Sequence, residues 1–261
     1  MSHPIKPMVV DLSHWDPADD YEAVKKSGIV GVIYKATEGS SYTDDTYVAQ
    51  QRAAKAAGLK WGAYHFGDAT NVDQQVDNFM AFACPDSDEL FALDWEDNGD
   101  DTMTVAQAKE FISKVEGRLD RPGQCVIYSG NTVKDLLGDN EDEFLGKRRL
   151  WLAQYASNPE LQASWGEFWL WQYTDGNYGP GPHTCPGVDD NGVDMNSYEG
   201  TPEELAAEWA TGSSQRLRPD RVPTPRGDRP SVRAHEAVTI AITAPPGVTV
   251  NVIKIAPDRR H

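Results

Sequence analysis

The chain reads as an α/β protein: a (β/α)-type barrel of eight strands that has lost several of its helices, followed by a C-terminal linker and a β-hairpin extension. Three observations predict this. Short apolar runs alternate with helically spaced stripes over the first 120 residues, the rhythm of βα units. From Gln124 onward strand-like runs continue, but the segments between them are too short for full helices. At Gly212 the composition turns to Ser, Arg and Pro, which have little capacity to form a core.

Met8-Val-Val-Asp-Leu12 forms the first expected strand, and Tyr21 to Ser27 a short helix stopped by Gly28. Val30–Lys35 is the second strand. Asp45 to Ala57, rich in Ala, Gln and Lys, is helical up to Gly58, a residue suited to a helix C-terminus. Lys60–Phe66 is the third strand, and Asn71 to Ala83 a helix with Val72, Val76, Phe79 and Met80 on one stripe. The fourth strand runs through Glu89-Leu-Phe-Ala-Leu-Asp94. Thr104 to Leu119 is a helix with Val105, Ala108, Ile112 and Val115 aligned. Then come Gln124–Tyr128, a short helix near Thr132–Leu137, Arg149–Tyr155, Glu167–Tyr173 and Gly192–Tyr198 as strands five to eight. Pro202 to Trp209 closes the domain, with Thr201 as N-cap and Pro202 in the first helical position.

The 261 residues suffice for one substantial core, and the formal net charge of −17 argues against nucleic acid as a partner, because phosphate recognition needs a basic footprint. Cys84, Cys125 and Cys185 are too widely spaced for a zinc knuckle or a disulfide framework and suit small buried hydrophobes. No apolar run is long enough to span a bilayer, so membrane insertion is not expected. The N-terminal Met-Ser-His-Pro-Ile-Lys-Pro lacks the apolar core of a secretory signal, so the protein is expected to be made in the cytoplasm and to need another route if it acts outside.

The fourth strand is where the chemistry concentrates. Its apolar half suits a strand buried on both faces, and it ends in acid at Asp94-Trp-Glu96. Alternation along a strand turns Asp94 and Glu96 to the same side. Two adjacent carboxyls repel, which raises one pKa and leaves the other ionised, the division that cleavage of a glycosidic bond requires. Acid after a buried strand is by itself commonplace, so the neighbours decide. In (β/α) barrels active sites gather at the C-terminal strand ends. Those ends offer Asp11, Lys35 with Glu38, Tyr64 with His65, Asp94 with Glu96, Tyr128, Gln154 with Tyr155, Gln172 with Tyr173, and Asp194.

Six segments in order, Val10-Asp-Leu-Ser-His14, Tyr34-Lys-Ala-Thr-Glu-Gly39, Gly62-Ala-Tyr-His-Phe66, Leu93-Asp-Trp-Glu96, Trp171-Gln-Tyr-Thr174 and Val193-Asp-Met-Asn196, resemble the family-25 glycoside hydrolases over roughly residues 8–210. These are lysozymes (N-acetylmuramidases) with a flattened, helix-poor, TIM-like β/α barrel. The resemblance implies cleavage of the β-1,4 bond between N-acetylmuramic acid and N-acetylglucosamine in bacterial peptidoglycan, with retention of configuration and no cofactor. It places the general acid/base on Glu96, its acidic partner on Asp94, and the first- and last-strand acids on Asp11 and Asp194. Two routes to retention stay open: attack or stabilisation by Asp194, or an acetamido nucleophile oriented by Asp94. Tyr64, Tyr128, Trp151, Gln154, Tyr155 and Gln172 are the candidate sugar contacts, although each ring alone is as well explained by packing. Two departures stand out: Asp16 where many relatives carry Gln, and an unusually long segment, His183 to Asn191, before the last strand.

Three rivals weigh less. A metal-dependent hydrolase would use His14, His65, Asp94 and Glu96, but no His-x-His or His-Glu-x-x-His spacing supports it. A chitinase-like barrel would need a longer acidic run than Phe91 and Leu93 allow. A wall-binding module has no need of four acids. Residues 1–211 are thus expected to be the catalytic barrel and 212–235 a linker. In 236–261, Glu236–Thr243 and Val248–Ile255 alternate around Ala-Pro-Pro-Gly as a hairpin for attachment or self-association. Residues 211–261 hold nine basic and four acidic residues (net +5), leaving 15 basic and 37 acidic (net −22) in the first 210. A phage lysin released by a membrane lesion, or an exported antibacterial muramidase, fits this organisation.

Overall fold

The elements, in a computed structural model that describes residues 3–188 and 192–211, are β1 (Pro7–Leu12), α1 (Tyr21–Lys26), β2 (Gly31–Glu38), β3 (Tyr42–Thr43), α2 (Tyr47–Ala56), β4 (Lys60–Phe66), α3 (Val72–Phe82), β5 (Leu90–Asp94), α4 (Val105–Leu119), β6 (Val126–Ser129), α5 (Asn131–Leu137), α6 (Glu143–Gly146), β7 (Leu150–Ala153), β8 (Leu170–Asp175), β9 (Asp194–Ser197) and α7 (Pro202–Glu208). The linker and hairpin expected after residue 211 lie outside the described residues.

Local chemistry accounts for the helix starts. The Asp20 side chain accepts from Glu22 and Ala23 N–H, and Asn71 accepts from Gln74 N–H. Thr104 with Gln107, and Thr201 with Glu204, form reciprocal capping boxes at α4 and α7, the latter with Pro202 in the first turn as expected. Two elements escaped the sequence reading. β3 is two residues long and α6 four, below the length at which either periodicity can be recognised. The sixth and seventh expected strands are also shorter, since pairing stops at Ala153 and begins only at Leu170.

Eight strands close into a barrel in the order β1-β9-β8-β7-β6-β5-β4-β2, sealed by β1–β2 pairing, with β3 added at the edge of β2. Within the barrel, neighbours from β1 round to β8 are parallel, but β9 runs antiparallel to both β8 and β1, as the edge strand β3 does to β2. A parallel return would need a crossover carrying the chain to the opposite end of the barrel. Here the chain leaves β8 at Asp175 and re-enters at Asp194 directly opposite it. Gly176 and Gly192 make that stem possible. Both have positive φ, and a Cβ on Gly176 would lie 2.5 Å from the Gly192 carbonyl carbon.

Strand alternation sorts the apolar residues into two cores. The outer one, between sheet and helices, includes Val10, Val32, Phe79, Phe111 and Ile112. The inner one fills the barrel with Val9, Ile33, Leu90, Ala92, Val126, Trp151 and Leu170, and Leu205 and Trp209 of the α7 segment plug its base. The Trp209 indole N–H donates to Trp61 O (2.7 Å). Arg149 donates to the carbonyls of Glu208 and Trp209, and Arg121 to that of Ala210, supplying cations where a helix end presents unpaired carbonyls. Among the described residues, α7 closes the barrel at its base, and the cavity lies at the other rim.

Candidate active site

The same alternation carries polar residues into the barrel above that core. Asp11, Lys35, Tyr64, Asp94, Tyr128, Trp151, Gln172, Asp194 and Asn196 share the inward register of Val9, Ile33, Leu90, Val126 and Leu170. Asp194 opens β9 instead of ending it. Only because β9 is antiparallel does this residue reach the rim of the other strand ends, directly opposite Asp11 on β1.

Asp94 is the last residue of β5 and buried, and Glu96 lies beyond the strand, partly exposed. Both carboxyls are raised above the ordinary carboxylate range. For Asp94 burial is the main cause, then the Glu96 charge, and it ends well above that range. Burial also raises Glu96, but its hydrogen bond with Asp94 and the nearby Lys35 ammonium hold it back. In the free chain the proton of the pair is therefore held more firmly by Asp94, whereas Glu96 is the one that meets solvent. Asp94 Oδ1 is buried with no hydrogen-bond partner among the described residues.

The other acids crowd a cavity of about 250 Å³ lined by Asp11, Ser13, Trp15, Asp16, Tyr64, Asp175 and Asp194, among others. Burial pushes Asp11 up to about 7, against the lowering effect of hydrogen bonds from Asn196 and Gln172. Asp194 rises to about 9, first by burial and then by the charges of Asp11, Asp16, Asp175 and Glu96. Asp16 is raised too, mainly by burial, although Ser13 N–H and Oγ–H both donate to it (2.8 and 3.1 Å). Lys35, paired with Glu38 at 2.6 Å, is the cation that opposes this build-up at Asp94 and Glu96.

The expected sugar contacts divide. Tyr64 lines the cavity, and Tyr155 is exposed at the rim. Tyr128, Trp151 and Gln172 are buried beneath, with the Tyr128 and Trp151 rings in edge contact at 4.5 Å. Gln154 turns to the neighbouring loop instead, accepting from Glu160 N–H (2.7 Å) and from Lys134 (3.3 Å). His65 and Tyr173 also leave the rim, because each follows an inward residue and so points outward. His65 stacks on Phe111 with both ring nitrogens engaged, by Thr37 and Gln75. Tyr173 packs in the outer core and donates to Pro182 O. The His14, His65, Asp94, Glu96 ligand set of the metal rival is thus not assembled: His14 contacts Asp44 instead.

Four residues of the site were not singled out as such. Asn196 had a signal in its two-residue spacing from Asp194, which puts both on the inward face. Trp15, largely exposed, and Asp175 come to the cavity through loop and strand-end geometry that spacing does not encode. Asp16 was noticed only as a departure from the family pattern.

Comparison with known proteins fits this arrangement. The model of the Glycosyl hydrolases family 25 matches residues 10–182. An autolytic lysozyme of Clostridium acetobutylicum is 33% identical over 173 residues, covering 64% of this chain and 50% of that protein, so the match spans half of that relative's length. Lysozyme M1 of Streptomyces globisporus is 28% identical over 214 residues, 76% of this chain and 69% of that protein. Among solved structures, the bacterial lysozyme of Streptomyces coelicolor superimposes with a TM-score of 0.67 at 26% identity, covering 78% of this chain and 97% of that one. With the family pattern running through β1 to β8 and their acidic rim, the chain belongs to glycosyl hydrolases family 25.

Proposed function

We propose that the chain is a muramidase that hydrolyses the β-1,4 bond between N-acetylmuramic acid and N-acetylglucosamine in bacterial peptidoglycan, with retention and with Glu96 as general acid/base. The observation that carries this is the Asp94–Glu96 pair: two interacting carboxyls at the open rim, the outer one reaching solvent and both raised. Family membership and the lysozyme relatives support the substrate class.

As the C1–O bond breaks, its electron pair passes to the leaving oxygen, which takes the proton of Glu96. A bound sugar that covers Glu96 removes its remaining exposure and raises its pKa further, towards the protonated form a donor needs. The vacated C1 is taken by the nucleophile of the first displacement; water then attacks C1, the bond from C1 to that nucleophile breaks with its electron pair returning to it, and Glu96 takes a proton from the water. For the first displacement we favour the acetamido route. Asp194, pushed up to about 9, keeps its proton at neutral pH and is a poor nucleophile, whereas Asp94 stands beside the acid at the end of β5, where it can orient the acetamido group.

The test is release of reducing ends and loss of turbidity on purified peptidoglycan, wild type against Glu96→Gln. A fall of roughly a hundredfold or more in the variant, with muramic acid at the new reducing ends, supports the assignment. An inactive wild type on walls of several bacterial types would leave a binding module as the better reading, and a fully active variant would move the acid elsewhere. The lysin setting has its own test: expression with and without a protein that opens the membrane, lysis only in its presence being the expected result.

A further inference from the structure

Asp11 enters the barrel with both carboxyl oxygens occupied by side-chain amides. Gln172 Nε2 donates to Oδ1 (2.9 Å) and Asn196 Nδ2 to Oδ2 (2.6 Å). The two ends of an amide have nearly the same shape, so its direction has to come from its partners. For Asn196 the partner on the far side is the indole N–H of Trp151, which can only donate. Oδ1 must therefore face Trp151, leaving Nδ2 for Asp11. For Gln172 the direction comes from Asp11 itself, because an ionised carboxylate only accepts: Nε2 donates to it, and Oε1 accepts the hydroxyls of Tyr128 (2.7 Å) and Tyr155 (2.9 Å), which could bond in either sense.

These amides cannot serve a sugar directly. Gln172 is 1% exposed and Asn196 0%, and their hydrogen-bonding groups are spent on the network. Asp11, by contrast, lines the open cavity opposite Asp194. The carboxyls facing it are Asp16, Asp94, Glu96 and Asp194, and the phenols of Tyr64, Tyr128 and Tyr155 are also near. Every ionised neighbour there disfavours a charge on Asp11, and the two amides favour it.

We propose that Asn196 and Gln172 are positioning residues of the muramidase reaction: braced by Trp151, Tyr128 and Tyr155, their amide donors orient Asp11 and favour its ionised form, the negative charge against which positive charge develops at the reacting sugar carbon. This rests on the muramidase reading. It also reassigns Trp151, Tyr128 and Gln172 from sugar contacts to the support of a carboxylate. A preorganised charge of this kind acts in the transition state more than in the ground state, so its loss should appear in kcat.

The experiment uses the full chain with Gln172→Met and Asn196→Leu, similar in size and without a donor. Two readouts are taken: kcat and KM on a soluble peptidoglycan oligosaccharide across pH, and the carbon-13 titration of the Asp11 carboxyl. Removing one hydrogen bond to a charged group should lower kcat about tenfold or more, leave KM within about threefold, and raise the Asp11 midpoint by about one pH unit. Because the ionised form of Asp11 is the useful one, the acid limb of the kcat profile should move to higher pH by the same amount. A raised KM with kcat retained would make Gln172 a sugar contact after all. A fall in kcat without movement of the Asp11 midpoint would reduce both amides to structural roles. Either result overturns the proposal, as does a folded variant with unchanged kinetics and midpoint. If Asn196→Leu fails to fold, Gln172→Met decides. An inactive wild type would sink the muramidase reading by itself, and the Asp11 titration would then still test whether the amides hold the charge.

Discussion

Replacing Asp194 by Asn should stabilise the protein at neutral pH, and the gain should vanish in acid. Asp194 sits opposite Asp11 and Asp175 in the cavity, and burial with those charges pushes it up to about 9 from an ordinary 3.8. The folded chain thus keeps a proton at pH 7 that the unfolded chain releases. A group raised in this way contributes stability fully present below its unfolded value and lost as pH rises toward its folded one. Between 3.8 and 7 the loss is ~1.4 kcal/mol per pH unit, or ~4 kcal/mol at pH 7 as an upper bound. Asn needs no proton and keeps the volume, so the variant should be about 1–4 kcal/mol more stable at neutral pH, the lower values reflecting relaxation around an open cavity. Urea unfolding of both proteins at about pH 4 and about pH 7 measures this directly. A variant no more stable at neutral pH, or a gap of equal size at both, would refute the reasoning.

Two packing predictions concern the framework that holds the site. Gly31→Ala should destabilise by about 1–3 kcal/mol, since its Cβ would fall 2.4 Å from the Trp209 ring at the base of the barrel; thermal unfolding checks this. Glu116→Ala should cost about 3–5 kcal/mol in urea unfolding, because it strands Arg148, whose guanidinium makes two hydrogen bonds to that carboxylate (2.7 and 3.2 Å) in a buried setting.

Much of the site was legible because strand alternation is a short-range rule. Knowing that β5 ends at Asp94 suffices to turn Asp94 inward, and the same parity places Asp11, Tyr64, Tyr128 and Gln172. The helix stripes of α3 and α4 and the N-cap at Thr201 with Pro202 behind it were legible for the same reason: each depends on contacts within a few residues. What parity could not say was how far from solvent each inward residue would stand. Trp151 and Tyr64 share one face, but one is sealed beneath the cavity and the other lines it. Gln154, His65 and Tyr173 were misplaced where a strand end was treated as a single location, though adjacent residues there point opposite ways.

By itself the sequence determined the order of the eight barrel strands and of the longer helices, the family pattern, and the acids available at Asp11, Asp94, Glu96 and Asp194. Tertiary structure alone decided the direction of β9, because two glycines that approach within contact, Gly176 and Gly192, are sixteen residues apart in the chain. That direction brings Asp194 to the active rim and Asn196 beneath it. It also decided which carboxyls keep their protons. Burial and the distances among residues on β1, β5, β8 and β9 set those affinities, and neither exists until the barrel closes.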